Sequence, residues 1–168
     1  QKFNTSGVLI SEGNFVADKR TGVFKEYYDD GKLSEEYTYV NGDLQGEGKE
    51  YHENGKVSET SNYEKGKIQG NAQSFDEDGK LYSEAVYERA RLRELRFFDR
   101  TGKKVSDYST RNGAGNLVFF DMNGNKTMEG YFTKDGDKKG KFISYFTSGK
   151  TSVVENFEDG ILQGERLV

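Results

Sequence analysis

Along most of this 168-residue chain apolar and polar residues alternate, and glycine interrupts the alternation at near-equal intervals. Alternation with a period of two reads as strand with one face covered and one wet, and Asn-Gly or Asp-Gly between two such runs reads as a hairpin turn. One turn signature, any residue then Gly then most often Lys, is centred on Gly7, Gly31, Gly55, Gly79, Gly102, Gly124 and Gly149, at spacings of 24, 24, 24, 23, 22 and 25. Four residues before each of these glycines stands an aromatic: Phe3, Tyr27, Tyr51, Phe75, Phe98, Phe120 and Tyr145.

About eight residues after the glycine a second aromatic follows: Phe15, Tyr39, Tyr63, Tyr87 and Phe157, with Tyr131 seven after and Tyr108 displaced. Then comes a second turn, Asn41-Gly42, Lys65-Gly66, Asp135-Gly136 or Asp159-Gly160, and a further glycine at Gly22, Gly46, Gly70, Gly140 and Gly164. Leu33, Val57 and Leu81 share parity with the second aromatic, so they share its face. Glu36, Thr38, Thr60, Asn62 and Glu84 fall between them and belong to the other.

The pattern predicts an all-β fold: an elongated antiparallel meander of about seven tandem hairpin repeats of 22–25 residues in a twisted single-layer sheet. Residues 1–168 are expected to form one repeat domain, its stability carried by aromatics stacked from unit to unit. The regularity fails in the fifth unit. Ala90 takes a turn glycine's place, Glu94 stands near the place of a unit-leading glycine, and residues 107–115 read as a longer loop. Residues 83–98 also hold strong helix formers, but the flanking turn register favours strands.

The run Tyr39-Val40-Asn41-Gly42-Asp43-Leu44-Gln45-Gly46 followed by Tyr51-His52-Glu53-Asn54-Gly55-Lys56 resembles the MORN-repeat-variant family, and residues 63–70 and 157–164 repeat the match. The resemblance implies a MORN-like hairpin array without enzymatic activity. It also implies, as for some bacterial members, an antitoxin-like partner of a secreted toxin, or contact with membrane lipid and protein as in eukaryotic relatives.

Composition narrows the rest. Twelve Phe, 11 Tyr and 21 Gly argue against disorder, and the absence of Pro suits paired strands. Without Cys there is no disulfide framework and no thiolate chemistry. A net charge of −4 offers nucleic acid no global attraction, and no apolar run approaches the ~20 residues of a membrane-spanning helix. The first residue is Gln1, not Met; export with removal of a signal peptide, to periplasm or exterior, is therefore favoured over a cytoplasmic location.

Catalysis finds little footing. His52 is the only histidine, which supports neither a triad nor a three-ligand zinc site, and it reads as a surface residue. Residues 76–79 and 121–125 superficially resemble calcium loops but lack their glycine spacing. No catalytic residue, metal or cofactor is expected. The one dense basic stretch, residues 88–104, gives the candidate binding patch Arg89, Arg91, Arg93, Arg96, Phe97 and Arg100, with Arg89, Arg91 and Arg93 expected on one face of a strand. A solvated face balanced by Glu88, Glu94 and Asp99 is the plainer alternative.

The repeated rings are expected to be the core. Tyr28, Tyr37, Tyr82, Phe97, Phe119 and Phe146 stand outside the repeat positions and are candidates for a second, exposed patch. A scaffold for a protein partner is the leading expectation, with a peripheral module for anionic membrane or carbohydrate as the alternative.

Overall fold

In the computed structural model, which describes residues 1–110 and 113–167 and side chains up to 164, all seven signature glycines adopt left-handed φ between +78° and +83°. An L side chain there meets its own carbonyl, which is why glycine recurs. Each closes a three-residue loop. The N–H three places before the glycine donates to the carbonyl one place after it, and the glycine N–H donates back to the carbonyl three places before, both at 2.8–3.0 Å. This is the type I turn with a glycine bulge typical of three-residue hairpin loops.

The second turns differ. Asn41 and Gly42 (φ +53° and +95°), Lys65 and Gly66 (+50°, +75°) and Asp159 and Gly160 (+47°, +80°) form two-residue loops with both φ positive, whose twist matches that of the flanking strands. Ala17 and Asp18 (+47°, +60°) and Arg89 and Ala90 (+54°, +61°) make the same turn without glycine. The loss of Gly at 90 therefore leaves the hairpin in place and strains it. Ala90→Gly should relieve about 1 kcal/mol and raise the melting temperature by about 2–4 °C in a thermal melt followed by circular dichroism.

The chain divides into two compact units, Gln1–Leu81 and Tyr82–Val168. In the first, β1 (Lys2–Phe3), β2 (Leu9–Val16), β3 (Lys19–Tyr27), β4 (Leu33–Val40), β6 (Gly46–Tyr51), β7 (Val57–Glu64) and β8 (Lys67–Phe75) are neighbours in sequence order, and the short β5 (Asp43–Leu44) pairs with β4. In the second, β9 (Leu81–Glu88), β10 (Arg91–Phe98) and β11 (Lys104–Ser109) are neighbours, and β12 (Gly115–Phe120), β13 (Lys126–Phe132), β14 (Lys138–Tyr145), β15 (Thr151–Glu158) and β16 (Ile161–Leu167) form a five-stranded sheet. All the registered pairings are antiparallel, and no helix occurs among the described residues. The protein is an antiparallel meander of hairpins in open sheets.

Two of the irregular spacings now have causes. Where β3, β8, β14 and β16 pair with the strand before them, four residues around Gly22, Gly70, Gly140 and Gly164 face a two-residue step in the partner. In β10 only Arg93 is extra, between Leu92 and Glu94, and the next signature glycine comes 23 residues on instead of 24. In the sixth repeat Gly136 (φ +90°) closes a three-residue loop, with Thr133 N–H donating to Asp137 O at 2.8 Å, instead of the expected two-residue one. The extra loop residue gives the spacing of 25. Of the longer loop expected over 107–115, Asp107 to Ser109 lie in β11; 111 and 112 fall outside the described residues.

The core is a row that no single-position repeat marks. Phe24, Ala72, Ala85, Leu95, Leu117 and Phe142 are buried, with Ser61, while the rings four before the glycine are half-buried or, at Phe3, exposed. Flanking rings shelter this middle row. The Phe24 ring meets Phe15 and Tyr39 edge to face at 5.3 and 5.2 Å, and Phe142 meets Phe132 and Phe157 at 5.1 and 5.3 Å. Phe132, eight after Gly124, holds the role assigned to Tyr131, which is 39% exposed.

Adjacent loops are laced together. Where Asn4, Asp76, Asp99, Asp121 or Thr133 precedes the glycine by three, its side-chain oxygen accepts the N–H groups of the residues on either side of that glycine. Tyr28 and His52 hold that place in the second and third hairpins. There Asp30 and Asn54 accept the N–H after the glycine, and the rings reach onward instead: Tyr28 Oη donates to Tyr51 O, and His52 Nε2 lies 2.9 Å from Phe75 O. His52 is thus an inter-hairpin tie.

Candidate interaction face

Directly opposed residues share a face of a sheet and successive residues alternate, so the register of the first unit defines two unlike surfaces. On one, Glu12 opposes Lys25, Lys25 opposes Glu36, and Glu36 opposes Lys49, which opposes Thr60. Signs alternate, and Lys25 Nζ lies 3.0 Å from Glu36. Tyr27 donates to Glu12 at 2.6 Å, and this bond, ahead of the one from Gln1, holds the Glu12 carboxyl below its ordinary range.

The other face carries a row of like charge. Glu26 opposes Glu35, Glu35 opposes Glu50, and Glu50 opposes Glu59, on β3, β4, β6 and β7. Like charges facing each other across strands oppose folding. Tyr37 donates to Glu50 at 2.6 Å and Ser61 to Glu59 at 2.7 Å, whereas burial, then Glu26 and Glu50, push the Glu35 carboxyl up. Burial and the Glu50 carboxylate also raise the Tyr37 phenol.

The sign of the Glu35 effect sets a pH dependence. An acid whose folded pKa exceeds its unfolded value costs stability once ionised, so the penalty is absent below the unfolded value and complete above the folded one. Glu35→Gln should therefore raise stability at pH 7 by about 0.5–1 kcal/mol, the scale of a cross-strand like-charge pair. Urea unfolding should show the gain vanishing near pH 3.

Beside the glutamates run the rings. Phe15 is 62% exposed, Phe24 lies beneath it, and Tyr39, Tyr37 and Tyr63 continue the row, Tyr37 meeting Tyr63 at 5.8 Å. Arg20 sits over Phe24 and Tyr39 at 5.1 and 5.2 Å and donates to Tyr39 Oη at 2.9 Å. The second unit repeats this element: Lys138 lies over Phe142 and Phe157 at 5.0 and 4.8 Å. It does not repeat the glutamates. Ser83, Phe97 and Ser106 occupy the corresponding line of β9, β10 and β11. Residues 1–81 hold 10 Lys and Arg against 16 Asp and Glu, residues 82–168 hold 15 against 13, so the acidic excess belongs to the first unit.

The basic stretch is not a single patch. Arg89 lies in the turn, not in a strand, and Arg93 is the bulged residue of β10, so these two do not share a regular strand face with Arg91. Arg93 pairs with Glu88 at 2.8 Å, and Arg96 pairs with Glu94 and, at 3.3 Å, with Asp107. Phe97 is 3% exposed, packed on Tyr82, Phe119 and Phe120 inside the second unit. Arg91 and Arg100 are exposed. Of the surplus aromatics only Phe146, at 56%, is strongly exposed, so they form no second patch.

Among the described residues no three His, Cys, Asp or Glu side chains gather as metal ligands would, and no helix is long and apolar enough to cross a membrane. No curated protein sequence matches the chain. Residues 20–41, 44–65 and 66–89, the hairpins that build the glutamate row and continue beyond it, are similar in three successive copies to the MORN repeat variant, a family of protein- or membrane-binding modules that are not enzymes.

Proposed function

We propose that this chain is a non-enzymatic scaffold that binds a protein partner on the ring and glutamate face of its first unit, and that the partner presents a basic segment there. The glutamate row carries the reading. Four carboxylates on successive strands span roughly 14 Å at ~4.8 Å per strand, a repulsion that folding bears and that a cationic partner would relieve. An extended segment crossing that row needs about five residues and can point up to three Lys or Arg side chains down at it. The neighbouring rings supply apolar and cation–π contact for their stems and heads. An antitoxin-like role is the form of this reading in which the basic partner is a toxin.

The test uses a fluorescent peptide with lysine at alternate positions and its glutamate counterpart, titrated with the intact protein and read by anisotropy. The lysine peptide should bind, more weakly as salt rises, and the glutamate peptide should not. Replacing Glu26, Glu35, Glu50 and Glu59 together by Gln should weaken binding at least tenfold without unfolding the protein. Equal binding by that variant would overturn the proposal, as would binding confined to acidic vesicles and lost on changing Arg89, Arg91 and Arg93 to Glu.

A further inference from the structure

The division of labour within the hairpin loops has a chemical consequence. Asn-Gly pairs are prone to spontaneous deamidation: the glycine nitrogen attacks the asparagine Cγ, a new C–N bond forms, and the carboxamide C–N bond breaks. Ammonia leaves with the amide proton, and water opens the resulting succinimide to aspartate or isoaspartate. No co-reactant beyond water is needed. Asn41-Gly42, Asn54-Gly55 and Asn123-Gly124 are the pairs among the described residues.

They are held differently. With His52 turned toward Phe75, Asn54 serves as the loop's acceptor: its Oδ1 receives Lys56 N–H at 2.9 Å and its Nδ2 donates to Glu77 O at 2.7 Å. Reaching the Gly55 nitrogen would cost both bonds. At Asn41 the nucleophile is tied across the sheet, Gly42 N–H donating to Arg20 O at 2.9 Å. In the sixth hairpin Asp121 holds the place of His52, and its Oδ1 takes the N–H groups of Asn123 and Asn125 at 2.8 and 2.9 Å. The Asn123 carboxamide is exposed and has no hydrogen-bond partner among the described residues, and Gly124 N–H is held only within its own loop.

We infer that Asn123 is a self-modification site of this protein, the first of the three described Asn-Gly asparagines to convert to aspartate and isoaspartate, because Asp121 relieves it of the capping duty that protects Asn54. The full chain incubated at 37 °C near pH 8 and digested for mass spectrometry tests this. Deamidation should accumulate at Asn123 roughly tenfold faster than at Asn54, with Asn41 also slower than Asn123. His52→Asp, which restores to the third hairpin the residue type at 76, 99 and 121, should free the Asn54 carboxamide and speed its conversion severalfold. Conversion at Asn54 or Asn41 as fast as at Asn123 in the unaltered chain would overturn the inference. So would an unchanged Asn54 rate in a folded His52→Asp protein.

Discussion

Phe142→Ala should cost about 3–5 kcal/mol, the range for truncating a buried Phe, and is expected to be among the most damaging single truncations in the chain. Phe142 is 2% exposed, yet it stands in an open sheet. What buries it is lateral: Phe132 and Phe157 stand on either side, Lys138 lies over the ring, and the ring itself covers Gly130, where a Cβ would come within 2.5 Å of it. Removing the ring therefore opens a hole floored by glycine, which has no side chain to fill it, and strips both neighbours of an edge-to-face contact. Chemical denaturation of the second unit reads the loss. Tyr131→Ala, at a ring 39% exposed one residue from Phe132, should cost under about 0.5 kcal/mol. Equal costs for the two would mean that the ring row is not the core.

The complementary experiment adds atoms. Gly48→Ala should destabilise the first unit by about 1–3 kcal/mol through overpacking, although Gly48 has an ordinary strand conformation in which Ala would be welcome on backbone grounds alone. The new Cβ would fall well inside contact distance of Tyr37 Cδ1 and Cε1 and 3.2 Å from Tyr63 Cε2. Tyr37 has little freedom to move aside, because its phenol is bound to Glu50 and its ring packs on Tyr63. Denaturant midpoints of Gly48→Ala and of the double variant Gly48→Ala, Tyr37→Ala separate the two contributions: the second substitution should restore part of what the first removes. A neutral Gly48→Ala would show that Gly48 is not there to make room for the Tyr37 ring.

These two sites show what the sequence displays and what it conceals. Turn glycines such as Gly31 and Gly55 recur because one backbone conformation demands them, so they leave a periodic trace that marks the hairpins and their order. Gly13, Gly48 and Gly130 are present for space. They lie on the row where a large residue on one strand is matched by a small one on the next: Gly13 against Phe24, Gly48 against Tyr37, Gly130 against Phe142. Size is shared between partners and not fixed at a position, so Phe24 and Phe142 stand where other hairpins have Gly48, Ala72, Leu95 or Leu117, and no single-position repeat reveals them.

The binding reading was concealed for a related reason. Basic residues 89–100 are dense along the chain and attract notice, but the bulge at Arg93 and the carboxylates of Glu88, Glu94 and Asp107 divide them in space. Glu26, Glu35, Glu50 and Glu59 are dispersed along the chain and aligned only by register. Their signal in the sequence was present in principle: they sit five before and four after Gly31 and Gly55. Seeing it requires pairing two offsets across a three-residue loop.

Stability comes from each hairpin's contacts with its neighbours, through stacked rings and through ties such as Tyr28 to Tyr51 and His52 to Phe75. Excising residues 46–69 joins Gln45 to Gly70, which has the same φ of +79° as the Gly46 it replaces, and so removes one whole repeat in register. Far-ultraviolet circular dichroism with thermal unfolding of the shortened protein is the most direct measurement. The shortened protein should be a soluble β-rich chain with a cooperative transition at somewhat lower temperature; an unfolded or aggregated chain with no transition would rule out stability carried by neighbouring hairpins.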